Sequence, residues 1–133
     1  ISPCSPNFSF TLFHYKDANV HSMANRGFEH PAYLLIEHHQ GFLVFQPIEM
    51  KKELLKERIT ISSKLKSMKY LIQDKEYDCF EKNDCFYIPI TDLNFFYTKE
   101  ERLMQTSLTV KLKVNLLKGH MPENLALLKI LFH

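Results

Sequence analysis

The sequence predicts a mainly β protein: an antiparallel β-sandwich, or a partly open barrel, with one or two short helices. Short segments rich in aromatic and β-branched residues alternate with polar turns. Apolar and polar residues alternate strictly over the segment 108–116, which is typical of a strand with one buried face and one solvent-exposed face. The 133 residues suit one domain. Because the chain starts with Ile1, we expect a single domain over 1–133, excised from a longer protein or processed precursor.

The first half of the chain is predicted to contain strands, one long loop and one helix. Alternation over 8–12 predicts a strand, and the polar stretch 14–27 predicts a loop. The apolar runs 32–37 and 42–46, joined by a glycine-containing connector, predict a hairpin. A proline followed by strong helix formers predicts a helix over 47–57.

The second half is predicted to be mostly strands. Residues 58–72 fit a strand that changes face through a bulge near Ser67, and a second helix is the competing interpretation. Residues 76–90 predict another hairpin, whereas a capping box predicts a short helix over 98–104. The apolar segment 125–132 fits either a buried strand or a terminal helix.

The cysteines indicate neither a disulfide scaffold nor a zinc site, because Cys4, Cys79 and Cys85 are an odd number without CxxC spacing. Cys79 and Cys85 flank a turn, so a cross-strand bridge is conceivable, although free thiols are the favoured prediction. No apolar run approaches the roughly 20 residues of a membrane span. We therefore expect an intracellular protein, in the cytoplasm or nucleus.

Catalytic and cofactor motifs are missing from the sequence. The three glycines stand too far apart for a nucleotide-binding loop, and there is neither a GxSxG elbow nor an HExxH pair. We therefore predict no enzyme activity and no cofactor. Five of the seven histidines fall within residues 1–39, which suggests a metal site if they gather and solvated loop histidines if they do not.

Charge is divided into a basic and an acidic block. Residues 51–69 carry seven basic and two acidic side chains, a net +5, whereas residues 70–101 carry three basic and eight acidic ones, a net −5. The basic block suggests either phosphate contacts or a solvated face that pairs with the acidic block, and we favour the second. Its basic side chains are those of Lys51, Lys52, Lys56, Arg58, Lys64, Lys66 and Lys69.

A dense aromatic cluster follows the acidic block at Phe95, Phe96 and Tyr97. Three consecutive aromatic residues cannot all face one core from a regular strand, so at least one is expected to be exposed. Together these features predict a non-enzymatic protein-recognition domain that uses the basic segment, the aromatic cluster and an exposed sheet edge. The alternatives are a nucleic-acid-binding β-barrel that uses segment 51–69, and a histidine-based metal site or metalloenzyme.

Overall fold

The computed structural model describes residues 6–54, 59–100, 102–116 and 124–132, which form antiparallel strands and two short 3-10 helices. The helices span Met23–Gly27 and Ile90–Asp92. In chain order the strands are β1 (Asn7–His14), β2 (Asp17–His21), β3 (Ala32–Glu37), β4 (Gln40–Phe45), β5 (Met50–Leu54), β6 (Ile59–Ile72), β7 (Lys75–Asp78), β8 (Phe80–Lys82), β9 (Cys85–Pro89), β10 (Phe96–Thr98), β11 (Leu103–Leu116) and β12 (Asn124–Phe132).

The strands build two layers that face each other across one core. The first layer has the order β5-β6-β11-β12-β1, with β7, β10 and β2 paired to its strands, and the second has the order β3-β4-β9-β8. Strand β1 joins them, because Asn7 and Phe8 pair with β3 while residues 9–14 pair with β12. The predicted antiparallel β-sandwich is therefore confirmed.

Aromatic side chains fill the centre of the core. Phe45 is fully buried, and its ring centroid lies 5.7 Å from that of Phe8, 5.1 Å from Phe10 and 6.0 Å from Phe28. All three contacts are near edge-to-face, the arrangement that the ring quadrupole favours. Strands of both layers and the segment after the first 3-10 helix thus meet at one side chain.

The first 3-10 helix is held against β1 by hydrogen bonds to the backbone of Leu12. Ser22 caps the helix by accepting a hydrogen bond from the Ala24 amide, and its own amide donates to the Leu12 carbonyl. The Asn25 side chain accepts from the Leu12 amide at 3.0 Å. The predicted loop over 14–27 is therefore wrong, because β2 and this helix occupy most of the segment.

Within the described ranges, three hairpins turn through two residues with positive φ, as tight two-residue hairpins of this kind require. These pairs are His38-His39, Gln73-Asp74 and Asn83-Asp84. The predicted hairpin at 32–46 is confirmed, with a shorter turn than expected. The hairpin predicted over 76–90 is confirmed only for β8 and β9, because β7 pairs with β6 instead.

Both predicted helices are wrong. Residues 50–54 form β5, which pairs with β6 in the register Lys51 to Ser62, and residues 55–58 lie outside the described chain. Of the capping-box residues, Thr98 ends β10 and pairs with Leu103 of β11, Lys99 and Glu100 lie in the turn that follows, and residue 101 lies outside the described chain. In both segments strand pairing outweighs a local helix preference of a few tenths of a kcal/mol per residue.

Two open alternatives are settled by strand pairing. Segment 125–132 is a strand, β12, which lies between β11 and β1 in the first layer. Strand β6 contains the predicted bulge, because Lys113 pairs with Ser67 and Val114 with Leu65, which leaves Lys66 unopposed. The extra residue explains why the apolar positions of β6 change parity at this point.

The two described cysteines are free and face different apolar clusters. Cys79 packs in the main core, where its amide donates to the Met68 carbonyl at 3.2 Å. Cys85 packs against Val44 and Tyr87 in a smaller cluster. Burial raises the pKa of the Cys79 thiol to about 12 and also raises that of Cys85.

Cys79 is expected to resist alkylation in the folded protein. The thiolate is the reactive form, and a pKa of about 12 leaves almost none of it at pH 8. Iodoacetamide followed by peptide mass spectrometry should label Cys79 only after denaturant is added. Rapid labelling of the native protein would contradict this burial. Because the folded pKa is raised, this thiol's contribution to stability is complete below about pH 8.5 and is lost as pH rises toward 12.

Candidate functional site

The outer face of the first layer, which points away from the core, carries the candidate site. Leu12 and Leu128 point into the core, so their neighbours Phe13 and Leu127 project outward, and these two pair directly across β1 and β12. Lys129 follows two residues along the same face of β12, opposite Ser107 of β11. Apolar and basic side chains therefore lie side by side on a face of the sheet that does not pack into the core of the sandwich.

A groove of about 390 Å³ crosses this outer face. A bulge brings Ala18 to its rim: Phe13 pairs with His21 but His14 pairs with Asp17, which leaves residues 18–20 unopposed. Phe96 of β10 stands at the other end, beside Gln105. We call this feature the outer-face groove; its lining is Phe13, Ala18, Phe96, Gln105, Thr106, Ser107, Leu127 and Lys129.

The chemistry of the outer-face groove is amphipathic. The two phenylalanines and the leucine supply apolar walls, and Gln105 and Ser107 of β11 supply neutral polar side chains. Lys129 is the one charged residue among the described residues that line it, and its side chain is exposed. Such a lining suits a small molecule with an apolar body and an anionic group, because a few placed polar groups orient a ligand within mostly apolar walls.

One histidine stands next to the groove. The His21 ring lies edge-on to Phe13, with ring centroids 5.4 Å apart and an interplanar angle of 81°. The exposed His14 accepts a weak hydrogen bond from the Lys16 amide at Nδ1. His30 stacks on Phe10 at 4.0 Å and makes a 2.8 Å hydrogen bond to the Asn25 carbonyl.

The remaining described histidines, His38 and His39, form the tight turn between β3 and β4. Within the described ranges no three His, Cys, Asp or Glu side chains gather as metal ligands. The histidines that the sequence places close together are therefore dispersed over the fold.

The basic block meets the acidic block in the fold. Lys64 and Lys66 line a cleft of about 380 Å³ together with Glu81 and Asp84. On β7, Glu76 forms a hydrogen-bonded ion pair with Lys111 and lies 4.0 Å from Lys69. The bond from Lys111 lowers the pKa of the Glu76 carboxyl.

The other basic residues of this block divide into two groups. Lys51 is exposed on β5, at one end of the first layer. The side chain of Lys52, and Lys56 and Arg58 entirely, lie outside the described residues. A contact surface formed by the whole basic block stays a prediction.

The aromatic cluster is split between the interior and the surface. Phe95 packs against Phe132 with ring centroids 5.8 Å apart, whereas Phe96 and Tyr97 are largely exposed. Phe96 lines the outer-face groove. Sequence reasoning selected Phe96 but missed Phe13, Leu127 and Lys129, because only strand register reveals which residues of two mostly apolar strands point outward.

Comparison with known proteins gives similarity of fold alone. No protein-family model matches the sequence, and no curated protein is significantly similar to it. One similar solved structure is the NEAT5 domain of IsdX2, a B. anthracis hemophore, in complex with heme: TM-score 0.58, 11% identity, with 95% of this chain and 93% of that chain covered. Another is a heme-bound single-residue mutant of the same domain: TM-score 0.58, 11% identity, with 98% and 96% covered.

This comparison corrects two expectations. The predicted protein-recognition function is wrong, and so are its nucleic-acid and metalloenzyme alternatives, because the similar domains are heme complexes of a hemophore. The intracellular location is wrong as well, since a hemophore is a heme carrier of the cell exterior. Among the described residues, no helix has the length and apolar character to cross a membrane.

Proposed function

We propose that this domain binds heme, as cargo rather than as a catalytic cofactor, in the outer-face groove. The observation that carries the proposal is the fold, which is shared over nearly the whole chain with one domain that has been solved twice in complex with heme. The groove supports it, because it lies across strands β1, β11 and β12 of that fold and has an amphipathic lining. The domain is then a non-enzymatic binding module.

The residues of the groove fit the parts of a heme molecule. The porphyrin ring is flat and apolar, and Phe13, Leu127 and Phe96 offer apolar and aromatic surface for it. Two propionate carboxylates leave one edge of the ring, and Lys129 offers the charge that would attract them. His21 lies beside Phe13 at the margin of the groove and is not among the residues that line it.

A hemin titration followed by visible absorbance tests this function. The purified domain is expected to give a saturable change in the Soret band that ends at one hemin per chain. Bovine serum albumin and a denatured sample of the domain measure nonspecific uptake. A linear, unsaturated response equal to that of the denatured sample would contradict heme binding.

Lys129→Glu is expected to weaken hemin binding severalfold at low salt. Reversing this charge replaces an attraction to the propionates with a repulsion, and exposed ion pairs are worth about 0.2–1 kcal/mol. The difference from wild type should shrink in high salt, because exposed charges are screened there. Lys113→Glu is the matched control, since Lys113 lies in the same layer of the sandwich, on β11, but does not line the groove. Equal losses in both variants would contradict a specific role for Lys129.

A further inference from the structure

The outer face of the second layer carries an apolar surface that is separate from the main core. Leu43 of β4 points into the core, so its neighbours Phe42 and Val44 point outward. Val44 pairs with Tyr87 of β9. On the other side of β4, Phe42 pairs with Leu35 of β3. We call this surface the second-layer face; its apolar residues are Leu35, Phe42, Val44, Phe80, Cys85 and Tyr87.

Aromatic rings give the second-layer face its exposed apolar area. Phe80 lies on the edge strand β8, pairs with Tyr87 and is 62% exposed. The Phe42 ring lies edge-on to both, with its centroid 6.3 Å from that of Phe80 and 6.1 Å from that of Tyr87. Contiguous apolar surface of this kind on the outside of a domain marks a site of association, because covering it removes it from water.

Two charged side chains stand at opposite corners of this face. Glu37 is the last residue of β3, two positions beyond Leu35 and therefore on the same side of the sheet. Lys82 is the last residue of β8 and pairs with Cys85. Because β8 runs antiparallel to β3, the two strands end at opposite ends of the layer. Both side chains are exposed, and neither forms an ion pair with another residue of the described chain.

We propose that the second-layer faces of two copies of this chain pack against each other about a two-fold axis. The two charges favour a second copy as the partner. An axis that lies in the interface midway between the two corners places Glu37 of each copy against Lys82 of the other. The apolar residues between the corners then cover the same residues of the second copy.

This dimer is independent of the proposed heme binding. The outer-face groove belongs to the first layer, whereas the second-layer face lies on the opposite side of the sandwich. Both grooves of the dimer therefore stay open to solvent. The outcome of the hemin titration does not affect the proposed dimer, and the dimer does not affect the titration.

The size of the second-layer face predicts a weak dimer. Its short strands lie about 4.8 Å apart, so the contact falls at the low end of specific interfaces, below about 1,200 Å² in total. We expect a dissociation constant on the order of 100 µM. Monomers should therefore predominate in dilute samples.

Sedimentation velocity of the heme-free domain, from about 10 µM to about 1 mM, tests the dimer. Wild type is expected to shift from monomer toward dimer over this range. Phe80→Asp should remain monomeric, because its carboxylate would be buried in the interface without a partner. Tyr97→Asp is the matched control, since Tyr97 is 63% exposed on the first layer and does not line the groove. This control should dimerise as wild type does, and circular dichroism shows whether each variant is folded.

Charge reversal tests the two-fold arrangement. Glu37→Lys and Lys82→Glu should each dimerise about tenfold more weakly, because two ion pairs become two repulsions. An equimolar mixture of these two variants should form a heterodimer with wild-type affinity, because every lysine then meets a glutamate. Lys51→Glu is the control for net charge, since it makes the same change on β5 of the first layer, and it should dimerise as wild type does.

Each contrary result overturns a defined part of the proposal. Wild type that stays monomeric at about 1 mM would overturn the dimer and leave this face to a different partner. Dimerisation that Phe80→Asp does not weaken would show that the copies meet through another surface. Unchanged homodimers of the two charge variants, or no heterodimer in their mixture, would overturn the two-fold arrangement.

Discussion

Phe45→Ala is expected to lower the free energy of unfolding by about 3–5 kcal/mol, the typical cost of deleting a buried phenylalanine ring. Phe45 is fully buried and contacts Phe8, Phe10 and Phe28, so its removal leaves a cavity between both layers. Phe8 and Phe10 are held in β1 by strand pairing, so the surroundings are expected to relax only partially into the space. This loss is a large share of the roughly 5–15 kcal/mol by which a small domain is typically stable.

Urea denaturation followed by circular dichroism measures this effect. Phe96→Ala is the matched control, because the same ring is deleted at a position that is 66% exposed. Its unfolding free energy should change by no more than about 0.5 kcal/mol. Equal destabilisation by the two substitutions would contradict the placement of Phe45 at the centre of the core.

Leu127→Glu is expected to reduce hemin affinity by about a hundredfold or more. Leu127 is half-buried on the outer face beside Phe13, where a bound porphyrin would cover it. A carboxylate covered in this way would lose its hydration without gaining a partner, at a cost of several kcal/mol. It would also repel the propionates that Lys129 is proposed to attract.

Isothermal titration or Soret absorbance gives the two affinities, and a thermal melt confirms that the variant is folded. Leu125→Glu is the matched control, because Leu125 lies on the same strand and face but outside the groove lining. This control should bind hemin as wild type does. Wild-type affinity in Leu127→Glu would show that hemin, if it binds, lies elsewhere on the domain.

The fold class was predictable because one long strand repeats its pattern clearly. The alternation over 108–116 lies within β11, whose Val110 and Leu112 are buried while Lys111 and Lys113 lie on the other face. The prediction of a helix over 47–57 was wrong because the preferences of its residues disagree with the strand pairing that they adopt. Its residues have good helix propensity, but β6 offers β5 a complete set of backbone partners.

The candidate site was much less accessible to sequence reasoning. Segment 125–132 is apolar on both faces, so its pattern does not distinguish Leu127, which points outward, from Leu128, which is fully buried. The groove also joins β1 and β2 to β10, β11 and β12, which are far apart in the chain. Only the strand order brings Phe13, Phe96 and Lys129 to one surface.

The most direct test of heme binding in the outer-face groove is nuclear magnetic resonance of the isotopically labelled domain with zinc protoporphyrin IX, which is diamagnetic. The largest amide shifts are expected around Phe13, Ala18, Ser107 and Leu127, with small shifts around the charged cleft at Lys64 and Asp84. The same resonances should be unaffected when Leu127→Glu is titrated. Shifts that cluster away from the groove lining, or no shifts at all, would contradict the account.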